Sequence, residues 1–278
     1  MKSIHFTTDL WAILAVLGVA FLVVGCGDDD AVNNGGTQGQ VILLIHDAPV
    51  DDFKEVWLTV GSVRMIGADD DSTGPGEIIL SEPVRMDFLE LDSTAQILAA
   101  AGIGAGSYSK IRLEVSDPEF VRDDDSVFSG DDIKLVANGH VDINTQGDLL
   151  IVGDEVTVVS LDLDVDNSIQ INQTGNGRYI LRPQIFVDNT MDDEEGIIVY
   201  GAVITAVNLN TNVVTVETSG AESDATLTIT TNGQTDVLDI GGLPLALSSL
   251  LVGSSINIVG TIDMQSGVVT ATRIQVVP

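Results

Sequence analysis

This chain of 278 residues has one cysteine, three histidines and few basic side chains, and each shortage closes off a class of chemistry. The single cysteine, Cys26, allows no disulfide within the chain. Structural zinc sites draw on several thiolates and imidazoles. Beyond Cys26 only His46 and His140 remain, so no such site can be assembled. Lysine and arginine total 11 against 42 aspartates and glutamates, giving a net charge of −31 and a pI of about 4.1. That balance excludes nucleic acid as a partner, because binding a phosphate backbone depends on basic side chains that displace counterions. Acidic lipid headgroups would repel the chain as well. There is no Gly-x-Ser-x-Gly elbow for a serine nucleophile. With 42 acids almost any pair could be nominated as glycosidase carboxylates, so that signal has no specificity. The expectation is a protein that is not an enzyme.

Long apolar runs are also missing. Ala12 to Val24 spans 13 residues and stops at Gly25, Gly27 and Asp28. A bilayer-spanning helix takes about 20 apolar residues, whereas the core of a signal peptide takes about 7–15. The run ends in Leu22-Val23-Val24-Gly25-Cys26, the pattern of a bacterial lipoprotein processing site in which the cysteine sulfur is acylated. An ordinary secretory signal cut elsewhere is the plainer alternative. Residues 1–25 are thus expected to be a lipoprotein signal peptide, with Cys26 the lipidated N-terminus of the mature chain. Two or more acyl chains hold a protein stably where one does so only marginally. The expected location is the bacterial cell envelope, at the outer membrane, on its periplasmic or surface face.

What the chain does have is aspartate, glycine and alternating aliphatics. Residues 26–39 read as an acidic flexible tether that opens on Asp28-Asp29-Asp30. Val41 to Ile45 is a continuous apolar run that suits a buried strand, with a turn at Ala48-Pro49. Glu55 to Ile66 alternates, and Gly61 breaks the alternation as a bulge would. Further strands are expected at 77–80, 84–89, 109–115, 133–136, 140–143, 155–166 and 178–187. Asn138-Gly139 has the residue types of a hairpin turn between two of them. Ser93 to Ala101 is the main helix candidate, with Ser93 as its cap. Gly106-Ser107-Tyr108 before a strand resembles a tyrosine corner, in which the phenol bonds back to upstream backbone. A nucleotide loop at Gly102, Gly104 and Gly106 is rejected, since it needs a strand before and a helix after.

Residues 40–188 therefore read as a β-sandwich domain and 189–196, with Asp192-Asp193-Glu194-Glu195, as an acidic linker. Residues 197–278 shift to Val, Thr, Ile and Gly, with six acids and one base, Arg273. Six short strands in that stretch, with one or two helical turns at Leu243–Leu251, suggest a small barrel-like domain. The fold class is all-β: a Greek-key-like sandwich with one short helix, then the barrel.

Asp162, Asp164 and Asp166 alternate at the end of a predicted strand, which would set three carboxylates on one face about 6–7 Å apart. An EF-hand loop would need glycine and glutamate where Asn167 and Gln173 stand, so that reading fails. Two readings stay open: pairing with Arg178 or Arg182 or plain solvation, and calcium held by Asp162, Asp164 and Asp166. The loops at Asp69-Asp70-Asp71 and Asp123-Asp124-Asp125 could add oxygen ligands or be solvated turns. His46 and His140 read as edge or surface histidines.

Several segments together resemble the bacterial lipoprotein domain called domain of unknown function 4382. They are Asp47-Ala48-Pro49-Val50-Asp51, Phe88-Leu89-Glu90-Leu91, Gly106 to Leu113, Leu161-Asp162-Leu163-Asp164 with Ser168-Ile169, and Gly177 to Pro183. The chain departs from the family in Leu163, where an aromatic is common, and Arg182, where lysine is common. Leu250 to Gly253, Ile256 to Gly260 and Val269 to Ile274 resemble a second family, domain of unknown function 5666. The resemblance implies an envelope protein with β domains and brings no reaction with it. The expected role is non-catalytic binding or structure, in adhesion, matrix contact or envelope assembly. Its partners would be the membrane through the lipid, and protein or glycan ligands at the cell surface. The alternative is a carbohydrate-active or other hydrolytic enzyme component with a site in the acidic loops.

Overall fold

The computed structural model describes residues 37–47, 53–68, 76–91, 94–171, 178–188, 193–221 and 225–278. Cys26, the apolar run before it, most of the tether, Ala48-Pro49, Asp69 to Asp71, Ser93 and residues 189–192 lie outside them. The first strands are β1 (Gln38–Asp47), β2 (Glu55–Gly67), β3 (Glu77–Leu80), β4 (Val84–Asp87), β5 (Ala95–Gly104) and β6 (Gly106–Val121). Then come β7 (Val127–Ser129), β8 (Ile133–Leu135), β9 (His140–Ile151) and β10 (Val156–Leu163). The helix α1 (Val165–Ser168) precedes β11 (Ile169–Ile171), β12 (Tyr179–Leu181) and β13 (Ile185–Asp188). The C-terminal strands are β14 (Glu194–Asn208), β15 (Val213–Glu217), β16 (Leu227–Thr230), β17 (Asp236–Leu238), β18 (Ser255–Asp263) and β19 (Val269–Val276). The protein is all-β, with α1 as the one α-helix among the described residues.

β1 explains the architecture. Its run is apolar at every position because both of its faces are buried, the usual reason for a strand without alternation. Val41, Leu43 and Ile45 point into one core, between the sheet β13-β10-β1-β5 and a second sheet built on β2 and β6. Ile42 and Leu44 point the other way, into a second core shared with the C-terminal strands. The first core holds a cluster of rings, Phe53, Phe120, Phe128 and Tyr179, in tilted and edge-on contacts at 4.8–5.8 Å between centroids. The bulge expected at Gly61 is present: the β2–β6 register shifts between Val60 and Ser62.

The tyrosine corner is formed as well. Tyr108 lies 5% exposed, and its hydroxyl donates to the Gly104 carbonyl at 2.8 Å, with Glu77 Oε1 at 2.7 Å. Glu77 Oε2 accepts the Gly104 N–H at 2.9 Å, so one carboxylate ties the end of β5 to the edge strand β3.

The five strands β14, β15, β16, β19 and β18 close into a barrel, each hydrogen-bonded to the next and β18 back to β14. Closure removes the unpaired edges that separate strands would expose. The third and fifth strands, β16 and β19, run parallel, which is the connectivity of OB-type barrels. The barrel rests on the outer face of the sandwich. β14 extends the sheet from β5, with Ile197 and Ile198 paired parallel to Ala95 and Gln96. The β18–β19 turn presses Gly267 onto Ile42 and Val156. Residues 36–278 accordingly form one compact unit.

Three local expectations are corrected. The helix expected over Ser93–Ala101 is replaced from Ala95 onward by a strand: Ala95–Gly104 is β5, and Ala95 to Ala101 are buried throughout. Alanine favours helix in isolation, but here its small side chain lets β5 be packed from both faces. Asn138-Gly139 does not join two strands of one hairpin, because β8 pairs with β12 and β9 pairs with β6. The turn changes sheets instead, through positive φ at Ala137, Asn138 and Gly139. A Cβ on Gly139 would lie 1.8 Å from the Val115 carbonyl oxygen, so glycine is required there. The segment Arg178–Val187 is not one strand, since β12 and β13 lie in different sheets on either side of Pro183.

Candidate functional site

The acidic stretch after β10 does not keep the geometry of an extended strand. β10 stops at Leu163, and Asp164 becomes the N-cap of α1. Its Oδ1 accepts the Asn167 N–H at 2.9 Å and its Oδ2 the Asn167 side-chain amide at 2.7 Å. This is the usual reward for aspartate at a helix start. Asp166 sits in the helix itself, so Asp162, Asp164 and Asp166 do not follow one another along a single extended strand. Among the described residues no group of three or more His, Cys, Asp or Glu side chains is placed to hold a metal ion. Asp124 is engaged locally, accepting the Ser126 N–H, and Asp125 pairs with Lys54 at 2.9 Å.

Asp162 has a partner that its sequence neighbours do not supply. β1 and β10 run parallel with His46 opposite Asp162, and β13 pairs with β10 so that Asp188 lies opposite Ser160. All three polar residues therefore project from one face of the sheet. His46 Nδ1 is 3.7 Å from Asp162 Oδ1, and His46 Nε2 is 3.5 Å from Asp188 Oδ2. The imidazole of His46, rather than Arg178 or Arg182, thus stands beside Asp162. Burial raises the Asp162 carboxyl above the ordinary aspartate range; the nearby His46 opposes this, and Asp188 and Asp164 add to it. The two ring nitrogens of His46 address different carboxylates, so the group surrounds the ring rather than converging on one point. Ser160, two residues before Asp162, is 2% exposed, and its hydroxyl has no hydrogen-bond partner among the described residues. A serine so buried is not placed to attack a substrate.

A second feature lies at the end of the barrel away from the sandwich. It is an open recess of about 330 Å³ lined by Asn212, Thr231, Asn232, Gly233, Thr235, Val237, Leu245 and Leu247. Asn212 closes the β14–β15 turn with φ of 55°, and its carbonyl accepts from both the N–H and the hydroxyl of Thr231 at 2.9 Å. The β16–β17 turn is held by Asn232, whose N–H donates to the Thr235 hydroxyl and whose Oδ1 accepts the Gln234 N–H. The Leu245 N–H donates to the Val237 carbonyl at 2.7 Å, which folds the following chain back as an apolar wall. No ionisable side chain lines this recess. Asn232-Gly233 was the available signal for the recess, whereas His46, Asp162 and Asp188 are brought together only by strand pairing.

No curated protein and no solved structure matches the chain. The family model described as Domain of unknown function (DUF4382) matches residues 38–183, from the start of β1 to the proline between β12 and β13. The match covers more than half of the sequence and takes in the tyrosine corner, β10 and its acidic cap. The chain therefore belongs to the DUF4382 family.

Proposed function

We propose that this is a bacterial cell-envelope lipoprotein, acylated at Cys26, whose folded unit has a binding or structural role rather than a catalytic one. One observation carries the anchoring. A 13-residue apolar run ends in Val-Val-Gly-Cys, and that cysteine is the only one in the chain. The acidic tether would then hold the folded unit off the outer membrane, on its periplasmic or surface face. The likeness of residues 250–274 to domain of unknown function 5666 fits the same setting. The open recess on the barrel supports a binding role, since ligand sites are concave and combine apolar walls with a few polar groups. Palmitate labelling of the full chain in cells tests the anchor: label present in the wild type and absent in Cys26→Ser is expected, and label retained in the variant refutes it.

A second reading, a hydrolytic or carbohydrate-active enzyme component, has the His46–Asp162–Asp188 group in its favour. Burial shifts Asp162 in the direction that a proton-transferring carboxylate needs. Hydrolysis of a glycan or ester panel that disappears in Asp162→Asn would establish it over the first reading.

A further inference from the structure

We propose that the recess at the free end of the barrel is a binding site for a neutral glycan. The inference rests on the reading of the folded unit as a binding module and names the ligand class. OB-type barrels take ligands on the face of their second and third strands, between the first and the last of their strand-connecting loops. In this protein the last of those loops, between β18 and β19, is not available. Gly267 lies against Val156 and Ile42, and the Met264 N–H donates to the Asp193 carbonyl. What stays open is the other flank, where the β14–β15 turn meets the β16–β17 turn.

The lining selects the chemistry. Phosphate and carboxylate ligands need a positive partner, and the only base from residue 197 onward, Arg273, lies opposite Asp236 in the β17–β19 register and not in the recess. Calcium sites are built around carboxylates, and none lines the recess. The remaining groups are amides, hydroxyls and aliphatic side chains. Among the described residues the Asn212 side-chain amide bonds to no protein group, which leaves it free to donate and accept at once. A sugar ring presents that same pair of surfaces, hydroxyls around its edge and C–H groups on its face. Val237, Leu245 and Leu247 would take the C–H face while Asn212 and the rim hydroxyls meet the edge. An uncharged recess also answers the problem set by a net charge of −31, because a neutral ligand is not repelled by the rest of the molecule.

The test is affinity electrophoresis of residues 36–278, which form one compact unit. Native gels would carry a neutral β-glucan, an α-glucan or a galactomannan, with polygalacturonate and single-stranded DNA as anionic probes. Retardation by at least one neutral polysaccharide is expected. Leu247→Trp, which fills the recess, should weaken it about tenfold, and Asn212→Gly, which keeps the left-handed turn and removes the amide, should weaken it about threefold. Unchanged melting temperatures would show that both variants fold. Retardation by none of the neutral polymers, by the anionic probes alone, or to the same degree in Leu247→Trp overturns the proposal. The failure of the anchoring reading would appear separately, as glycan binding by a chain that takes up no palmitate.

Discussion

Replacing Tyr108 by phenylalanine removes one hydroxyl and keeps the ring that fills the core. The ring is 5% exposed and stays buried in the variant, so packing is conserved and only the hydroxyl is lost. That hydroxyl stands 2.8 Å from the Gly104 carbonyl and 2.7 Å from Glu77 Oε1. It has a single hydrogen to give, so the two contacts share one donor and their energies do not add. A neutral hydrogen bond contributes about 1 kcal/mol net and one to a charged group about 1.5–3 kcal/mol. The larger of these bounds the loss, and we expect Tyr108→Phe to cost about 1.5–3 kcal/mol. At about 2–4 °C per kcal/mol for a unit of this size, the melting temperature should fall by about 3–12 °C. Urea unfolding of residues 36–278 can be followed through Trp57, the one tryptophan after Cys26. The double variant with Glu77→Gln completes the cycle, and a coupling of about 1 kcal/mol is expected for groups in direct contact. A loss under about 0.5 kcal/mol, or strict additivity in the cycle, would refute the claim that this phenol ties β3 to β5 and β6.

Other outcomes follow from the two cores and from two aspartates, one buried and one exposed. Leu43→Ala and Leu44→Ala should each cost about 2–5 kcal/mol in denaturant unfolding, because adjacent residues of β1 fill opposite cores. A near-neutral result for either would show that one face of β1 is not packed. Gly267→Ala should destabilise by about 1–3 kcal/mol: its φ is +68°, and a Cβ would meet Val156 Cγ1 at 2.6 Å and Ile42 Cδ1 at 2.7 Å. Unchanged unfolding would mean that the barrel does not press on the sandwich there. Two aspartates should respond to pH in opposite senses. Burial raises Asp87 above the ordinary range, against the bonds from the Val56 and Leu89 N–H groups. The folded state therefore takes up that proton more readily than the unfolded one, and Asp87 adds stability as pH falls from above its raised value towards the ordinary one. Hydrogen bonding to Arg112 lowers Asp142, so its contribution is present above the ordinary carboxylate range and lost as pH falls through the lowered value. Asp142 is 40% exposed, and solvent screening limits Asp142→Asn to less than about 1 kcal/mol at neutral pH. Unfolding midpoints of Asp87→Asn and Asp142→Asn between neutral pH and about pH 4 would check both signs.

The sequence by itself determined the class of local structure wherever one face of a strand meets water or one residue type is demanded. Alternation in Glu55–Ile66 gave β2, Gly61 its bulge, and Gly-x-Tyr its corner, because each is a contact between near neighbours or a rule of backbone geometry. The aliphatic alternation beyond Gly196 likewise marked the barrel strands to within a few residues. Only the tertiary structure decided the rest. An alanine-rich segment became β5 because a strand buried on both faces draws its stability from neighbours on either side, which outweighs an intrinsic preference of less than about 1 kcal/mol per residue. The aspartates of the Asp162–Asp166 run parted company because Asp164 found a helix to cap. Asp162 met His46 because two strands more than a hundred residues apart pair in parallel. Barrel closure through β16 and β19, and the burial of its last loop against the sandwich, are likewise long-range pairings. No local pattern encodes them, since the partners of each pairing are far apart in sequence and meet only when the apolar strand faces are covered in the folded chain.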